Sequence, residues 1–359
     1  MENIYNNIKK LIESDEKNIH EISVEVIKTC GLNNYFKYVK NDEVLFTKFL
    51  KKCDIDNELF FLIVEEINKQ KGKYKQTYCN EYKLFLILQL EDNLLYWNSL
   101  TRSIFYNPSF KSTNHYKSIS QQYSRWCHKG IFKKVFENYS VVKNENSPTA
   151  EEINTIRKDD YIIDIEDNLF LDATNVANRS GSEYIVINPE NKKKKITKIT
   201  EICDADGFII SVCANKPKSK KIEYLQKNVG TAPHDSKCIN DTLDCCINKD
   251  SLTNITLIAD KGYKTSECII INDTNVKLVT PNRKNQKKNL INRHDSKKLG
   301  YRHIVENSIN GWKHVERVNT RKDKKIVNFM GWVYISCLRH NITVNKIKNV
   351  YINNKTCLR

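Results

Sequence analysis

The hydrophobic rhythm of this chain changes part-way along, and that change limits the folds open to it. Up to about residue 145, apolar side chains recur at helical spacing, as over 58–67 and in the dense stretch 81–104 with Tyr82-Lys83-Leu84-Phe85-Leu86-Ile87. A polar stretch over 144–152, containing Pro148, reads as a linker. Short β-branched runs then take over at 169–171, 196–202, 208–213, 255–258 and 276–280. Helical patterns over 238–247 and 265–271 lie between the later runs, and a last helix is expected over 327–347. Asp204-Ala205-Asp206-Gly207 stands between the second and third runs as a hairpin turn would. The order β-β-β-α-β-α-β-α predicts a mixed α/β layer rather than a sandwich. At 359 residues there is room for two or three domains. The expected division is a helical region over 1–75 with no recognisable chemistry, a second helical region over 76–145, and an α/β domain over 153–350.

Within the second region, over 114–139, Tyr123, Trp126, Ile131, Phe132, Val135 and Phe136 interleave with Arg125, His128, Lys129, Lys133 and Lys134. Gly130 splits the stretch into two helical segments. Two short helices about a glycine-containing turn, basic side chains outward, fit a helix-turn-helix DNA-binding unit. They fit an ordinary helical hairpin with a solvated basic face equally well.

Charge bears on the partner. Lys and Arg number 59 against 43 Asp and Glu, a formal net charge of +16. Residues 1–70 are slightly acidic, so the excess lies downstream, much of it in Lys192 to Lys195 with Lys198, in the lysines from Lys216 to Lys221, and in the run from Arg283 to Lys288. A basic body of this kind points to a polyanion, most simply nucleic acid. A lysine-, asparagine- and isoleucine-rich composition of the sort an AT-rich genome encodes accounts for part of the lysine count. The 12 cysteines include no Cys-x-x-Cys, and Cys245 and Cys246 are adjacent. That spacing suits free thiols in a reducing compartment better than zinc or disulfides. The N-terminus, Met1-Glu2-Asn3-Ile4, does not read as a secretory signal, and no apolar run reaches membrane-spanning length. The expected location is cytoplasm or nucleoid in a bacterial host and nucleus in a eukaryotic or viral one, where Lys192 to Lys195 could act as a localisation signal.

Three carboxylates stand out. Asp172 follows the run Leu169-Phe170-Leu171, and Asp260 follows Leu257-Ile258-Ala259; each reads as the end of a buried strand. Ligand sites in α/β folds gather at the carboxyl edge of the sheet. A strand-end Asp taken singly also serves as a cap or turn residue. Glu306 lies on a predicted helix with Arg302 and Lys313, all three within roughly 40° of one another around its axis, while Ile304, Val305, Trp312 and Val315 occupy another arc. Taken alone, Arg302 and Glu306 make an ordinary i,i+4 ion pair. Three carboxylates meeting in a basic chain would repel each other and call for cations. Oxygen-only ligands suit Mg²⁺, and two such ions could clamp the attacking and leaving oxygens of a phosphodiester.

From Leu169 to His340 the chain resembles the DDE transposases of bacterial insertion sequences, in particular the insertion-sequence-5 group. The third-carboxylate motif of that family, Arg-x3-Glu-x6-Lys, is matched at Arg302, Glu306 and Lys313. Ala259-Asp260-Lys261-Gly262-Tyr263 resembles the block around its second Asp, and Leu171-Asp172-Ala173-Thr174 the block around its first. Lys198-Ile199, His234-Asp235-Ser236, Pro281-Asn282-Arg283 and Thr320-Arg321 with Asp323-Lys324 are further similarities. Upstream, Tyr123-Ser124-Arg125-Trp126 with Lys129-Gly130-Ile131-Phe132 resembles the family's helical N-terminal region. The chain departs from the pattern at Leu299, where the family has a tyrosine; the nearest one here is Tyr301. The stretch 216–232 resembles an insertion.

The resemblance implies an RNase H-like mixed sheet flanked by helices, preceded by an all-helical N-terminal region. It implies Asp172, Asp260 and Glu306 as catalytic ligands of two Mg²⁺ ions, with Mn²⁺ as a substitute. Arg302, Lys313, Lys261, Arg321, Arg125, Trp126 and Lys129 are the expected DNA contacts. The implied activity is hydrolysis at transposon ends followed by strand transfer of the 3′-OH into target DNA, by a homodimer in a synaptic complex, with no membrane involved. A domesticated transposase that only binds DNA, and an RNase H-like nuclease without strand transfer, are the alternatives.

Overall fold

The computed structural model describes residues 6, 36, 42–70, 79–93, 96–102, 115–146, 168–188, 191, 194–217, 229–246, 255–264, 269–271, 274–282 and 293–356. The expected linker at Pro148, the helical pattern over 265–268, and Lys192, Lys193, Lys218 to Lys221 and Arg283 to Lys288 lie outside them. The chain divides into two compact units, Met1–Val135 with Val315–Arg317, and Phe136–His314 with Val318–Arg359.

The first unit is helical. Asp42 and Asp56 begin α1 (Glu43–Lys52) and α2 (Asn57–Lys69), each carboxylate accepting the backbone N–H three residues on at 3.0 Å. Both caps satisfy donors that a helix start leaves open. In α3 (Asn80–Asn93) Tyr82, Leu84, Phe85, Leu86, Ile87, Leu88 and Leu90 are all buried, so this helix is covered on every side. Phe36, Phe46, Phe49 and Phe85 pack edge-to-face or stacked around it, with ring centroids 5.2–5.8 Å apart. The basic region forms α4 (His115–His128) and α5 (Ile131–Asn146), joined at Gly130, whose φ of +69° is a left-handed conformation that glycine adopts at no steric cost.

The boundary between the two compact units falls inside α5. The second half of α5 belongs to the second unit because Phe136 packs on Tyr334 (5.7 Å) and Tyr139 on Phe208 (6.3 Å).

The second unit is a mixed α/β layer. Its sheet runs β5 (Val229–Thr231), β2 (Ile185–Ile187), β3 (Lys195–Cys203), β1 (Asn168–Asn178), β6 (Thr256–Ala259), β8 (Thr274–Val279), β7 (Ile269–Ile271), with β4 (Ile209–Ala214) also on β3 and β9 (Thr320–Arg321) also on β1. β1 pairs antiparallel with β3 along almost its whole length, from Phe170↔Cys203 to Ala177↔Ile196. On its other side it pairs parallel with β6 only through Leu171↔Ala259, and again with β9 from Ala177. The β3–β4 hairpin turns at Asp204–Gly207 as expected. Asp204 Oδ1 accepts from Asp206 N and Phe208 N, each at 2.9 Å, and Gly207 takes φ +80°.

Two expectations need correction. Residues 269–271, read as helical, form β7, an antiparallel partner of β8; three consecutive isoleucines carry no periodicity that separates helix from strand. The short strands β2 and β5 went unread, because three-residue elements carry too little pattern. The helices are α6 (Ile239–Asp244), α7 (Arg293–Gly300), α8 (His303–Lys313), α9 (Glu316–Asn319) and α10 (Ile326–Thr356). One face of the sheet packs Leu171, Ala259, Ile202 and Leu257 with Ile239, Leu243 and Tyr263. On α10, Asn341 accepts from Ile209 N at 2.8 Å and donates to Ile209 O at 2.9 Å, bonding β4 as a neighbouring strand would. Among the described residues no helix is long and apolar enough to cross a membrane, and Cys53, Cys203, Cys213 and Cys238 are free thiols.

Candidate active site

Asp172 does not end its strand. β1 continues six residues further, held by β3. What ends beside Asp172 is the parallel partner: Leu171↔Ala259 is the last rung between β1 and β6, and Asp172 and Asp260 are the next residues on each strand. Side chains alternate along a strand. Leu171 and Ala259 point into the apolar cluster, so Asp172 turns to the opposite face, towards α8. Lys313 of α8 donates there to Thr174 Oγ1 at 2.6 Å and to Asn175 O at 3.1 Å, supplying a donor to β1 between β6 and β9.

The third carboxylate joins through Arg302. Its Nη1 donates to Asp260 Oδ1 at 2.6 Å and its Nη2 to Glu306 Oε1 at 2.7 Å. Arg302 lies in the turn before α8, at the N-cap, rather than on the helix itself. Its pKa is raised, chiefly by the hydrogen bond to Glu306, with the charges of Asp260, Glu306 and Asp172 adding to it. The Asp172 pKa is raised as well, by burial first and by the charges of Asp260 and Glu306; the Ala173 N–H, at 2.8 Å, and Arg302 oppose the rise. The three acids thus act on one another electrostatically, with one guanidinium between two of them. Among the described residues no three His, Cys, Asp or Glu side chains are grouped as a metal site.

The turn after Asp260 is braced from below. An added Cβ on Gly262 would lie 2.4 Å from Asp235 Oδ2, so the turn admits no side chain without displacing that carboxylate. Asp235 pairs with the buried Lys198, which also donates to Pro233 O at 3.1 Å. His234-Asp235-Ser236, a likeness without a role in the sequence, therefore packs beneath the Asp260 turn. Lys198 is committed there and is not a phosphate contact.

Other expected DNA contacts divide. Arg125 and Lys129 in the first unit and Lys261 beside Asp260 are exposed. Trp126 is 3% exposed, with its ring 6.4 Å from Phe132, and is a core residue. Arg321 is 0% exposed. Its guanidinium donates to Asp323 O, Glu183 O, Thr197 Oγ1 and Lys324 O at 2.6–3.0 Å. Burial pushes its pKa down to about 10. It ties β9 to the start of α10, and its burial keeps it from a phosphate. Neither charge nor motif reveals burial, and burial is what removes Trp126 and Arg321 from the expected contacts.

Sequence reasoning missed Glu201. It is the cross-strand partner of Asp172 on β3, on the same face, and is 0% exposed. It accepts a hydrogen bond from Trp312 Nε1 on α8. Burial, helped by the Asp172 charge, lifts its pKa to about 8 against the pull of its hydrogen bonds. The signal was present: a lone acid within the apolar run 196–203.

No family model and no curated protein matches the chain. Among solved structures it is similar to a piggyBac transposase in a synaptic complex with hairpin DNA, at 12% identity and a TM-score of 0.45, over 83% of this chain and 74% of that one. A likeness that loose decides nothing here, and the chemistry has to be read from the chain's own residues.

Proposed function

We propose that this chain is a DNA transposase of the DDE type, within an RNase H-like domain, which hydrolyses a phosphodiester at the end of a mobile element and transfers the freed 3′-OH into target DNA. The observation that carries the proposal is the placement of Asp172 and Asp260 immediately past the last rung of the β1–β6 ladder, with Arg302 linking Asp260 to Glu306. The Arg-x3-Glu-x6-Lys motif supports it independently. Membership of the insertion-sequence-5 group rests on that resemblance alone.

The chemistry of the donors suits the expected metal, although among the described residues the three acids are not gathered as a metal site. All are carboxylate oxygens, the ligand type of Mg²⁺. Their mutual charges already call for a cation, and the Arg302 guanidinium stands in for one between Asp260 and Glu306. Asp172, Asp260 and Glu306 would hold two Mg²⁺ ions, or Mn²⁺, which when bound activate a water and stabilise the attacking and leaving oxygens. Arg302 has to release its two carboxylates for this, and its fork of N–H donors then suits a DNA phosphate. Lys313 uses two donors to hold the end of α8 on β1 and keeps one N–H for a phosphate. Lys261, and in the first unit Arg125 and Lys129, would grip backbone phosphates of the terminal repeats or target. Work on two ends calls for a homodimer in the synaptic complex.

The test is Glu306→Gln. Mg²⁺-dependent cleavage of DNA carrying the element's terminal repeats should be lost while binding of that DNA persists; undiminished cleavage would overturn the assignment. A DNA-binding protein without cleavage is the second reading. The Arg302 ion pairs favour it, since they occupy two of the three acids, and it requires that the unmutated chain bind the repeats and leave them uncut.

A further inference from the structure

Glu201 has no part in the chemistry above, yet it stands directly beneath it. A carboxyl buried among apolar neighbours is costly unless it is hydrogen-bonded. Glu201 is met from α8: Oε2 accepts from Trp312 Nε1, and Ser308 joins Trp312 in favouring the charged carboxylate. Ser308 and Trp312 are both buried and lie on the helix that carries Glu306. Ser308 Oγ is 3.4 Å from His340 Nε2, which lies 3.0 Å from Gly207 O. Lys313, at the end of α8, is fastened to β1. Val305, Ile309 and Trp312 supply apolar area, but apolar contact is non-directional and does not by itself fix how a helix is rotated on a sheet. A buried hydrogen bond from a strand does.

We infer that Glu201 is a positioning residue. Through Trp312 it sets the rotation and height of α8 on β3, so that Glu306 is presented to Asp172 and Asp260. The consequence for metal binding rests on the function proposed above; the fixing of α8 does not.

The experiment compares Glu201→Leu, Glu201→Gln and Trp312→Phe in the full chain by amide hydrogen exchange and by Mn²⁺ titration followed by electron paramagnetic resonance. Leucine at 201 and phenylalanine at 312 each remove the bond. Exchange of the α8 amides should accelerate about five-fold or more while those of β1 and β3 stay protected. Mn²⁺ affinity should fall about ten-fold or more. Glutamine keeps an acceptor for Trp312 and should restore both. If Glu201→Leu does not fold, Trp312→Phe against Glu201→Gln carries the comparison. Unchanged α8 exchange in Trp312→Phe overturns the inference, as does Glu201→Gln behaving as badly as the bond-breaking variants. Absence of Mn²⁺ binding by the unmutated chain would count against the metal site, and the exchange results would still decide the role of Glu201.

Discussion

At the scale of single residues, the site is governed by where charge is buried. Glu201 takes up a proton on folding, because its pKa rises from 4.5 to about 8. The sign follows from linkage: the folded state binds more protons than the unfolded one between those values. The stability due to Glu201 is therefore complete below about pH 4.5, declines as pH rises towards 8, and is gone above it. Denaturant midpoints measured between about pH 5 and about pH 9 should fall with pH more steeply in the unmutated chain than in Glu201→Gln, which cannot titrate. Parallel curves would contradict this. Asp172 shifts in the same direction, and its charge adds to the Glu201 shift, so the two contribute to the same downward slope. Arg321 shows the complementary case, a cation whose value lies in N–H donors fixed on three backbone oxygens and the Thr197 hydroxyl rather than in its charge.

At the scale of elements, the candidate site is a matter of how α8 meets its neighbours. Gly311 lets α10 come close, since a Cβ there would lie 2.4 Å from Nδ1 and 2.7 Å from Cε1 of His340. That imidazole is itself held by Ser308 and by Gly207 O, so it has little room to yield. Gly311→Ala should cost about 1–3 kcal/mol, the usual range for overpacking a filled interior. A thermal midpoint equal to that of the unmutated chain would show that the helices separate freely. Much of this level was legible in advance. The switch from helical to β-branched texture, the Asp204–Gly207 turn and the strands carrying Asp172 and Asp260 all follow from local pattern. The length of β1 did not, because residues 173–178 are polar enough to read as loop and are made strand by β3. The strand β7 was hidden for a different reason: its three isoleucines have no period of their own, and only pairing with β8 makes them strand.

For the molecule as a whole, the expected DNA contacts are divided between the two units. Asp172, Asp260, Glu306, Arg302 and Lys313 all belong to the second unit, while the exposed Arg125 on α4 and Lys129 in the turn after it belong to the first. If those two residues grip DNA, each phosphate contact releases about one counterion. The double change Arg125→Ala with Lys129→Ala should then reduce the slope of log affinity against log salt by about 2, with little dependence on sequence. A slope unchanged by both substitutions would mark these residues as a solvated hairpin face, the other meaning that α4 and α5 carried from the start. Local sequence settles which residues are acidic, where strands begin, and which segment is rich in lysine, because turn chemistry and hydrophobic period act over a few neighbours. It named the three carboxylates and their Arg and Lys companions. Tertiary structure decided the rest. The β1–β6 ladder stops beside Asp172, Arg302 bridges Asp260 and Glu306, Arg321 and Trp126 are buried, and Glu201 lies beneath the site. Each of these depends on contacts between segments far apart in the chain, and burial and register come into being only when those segments meet.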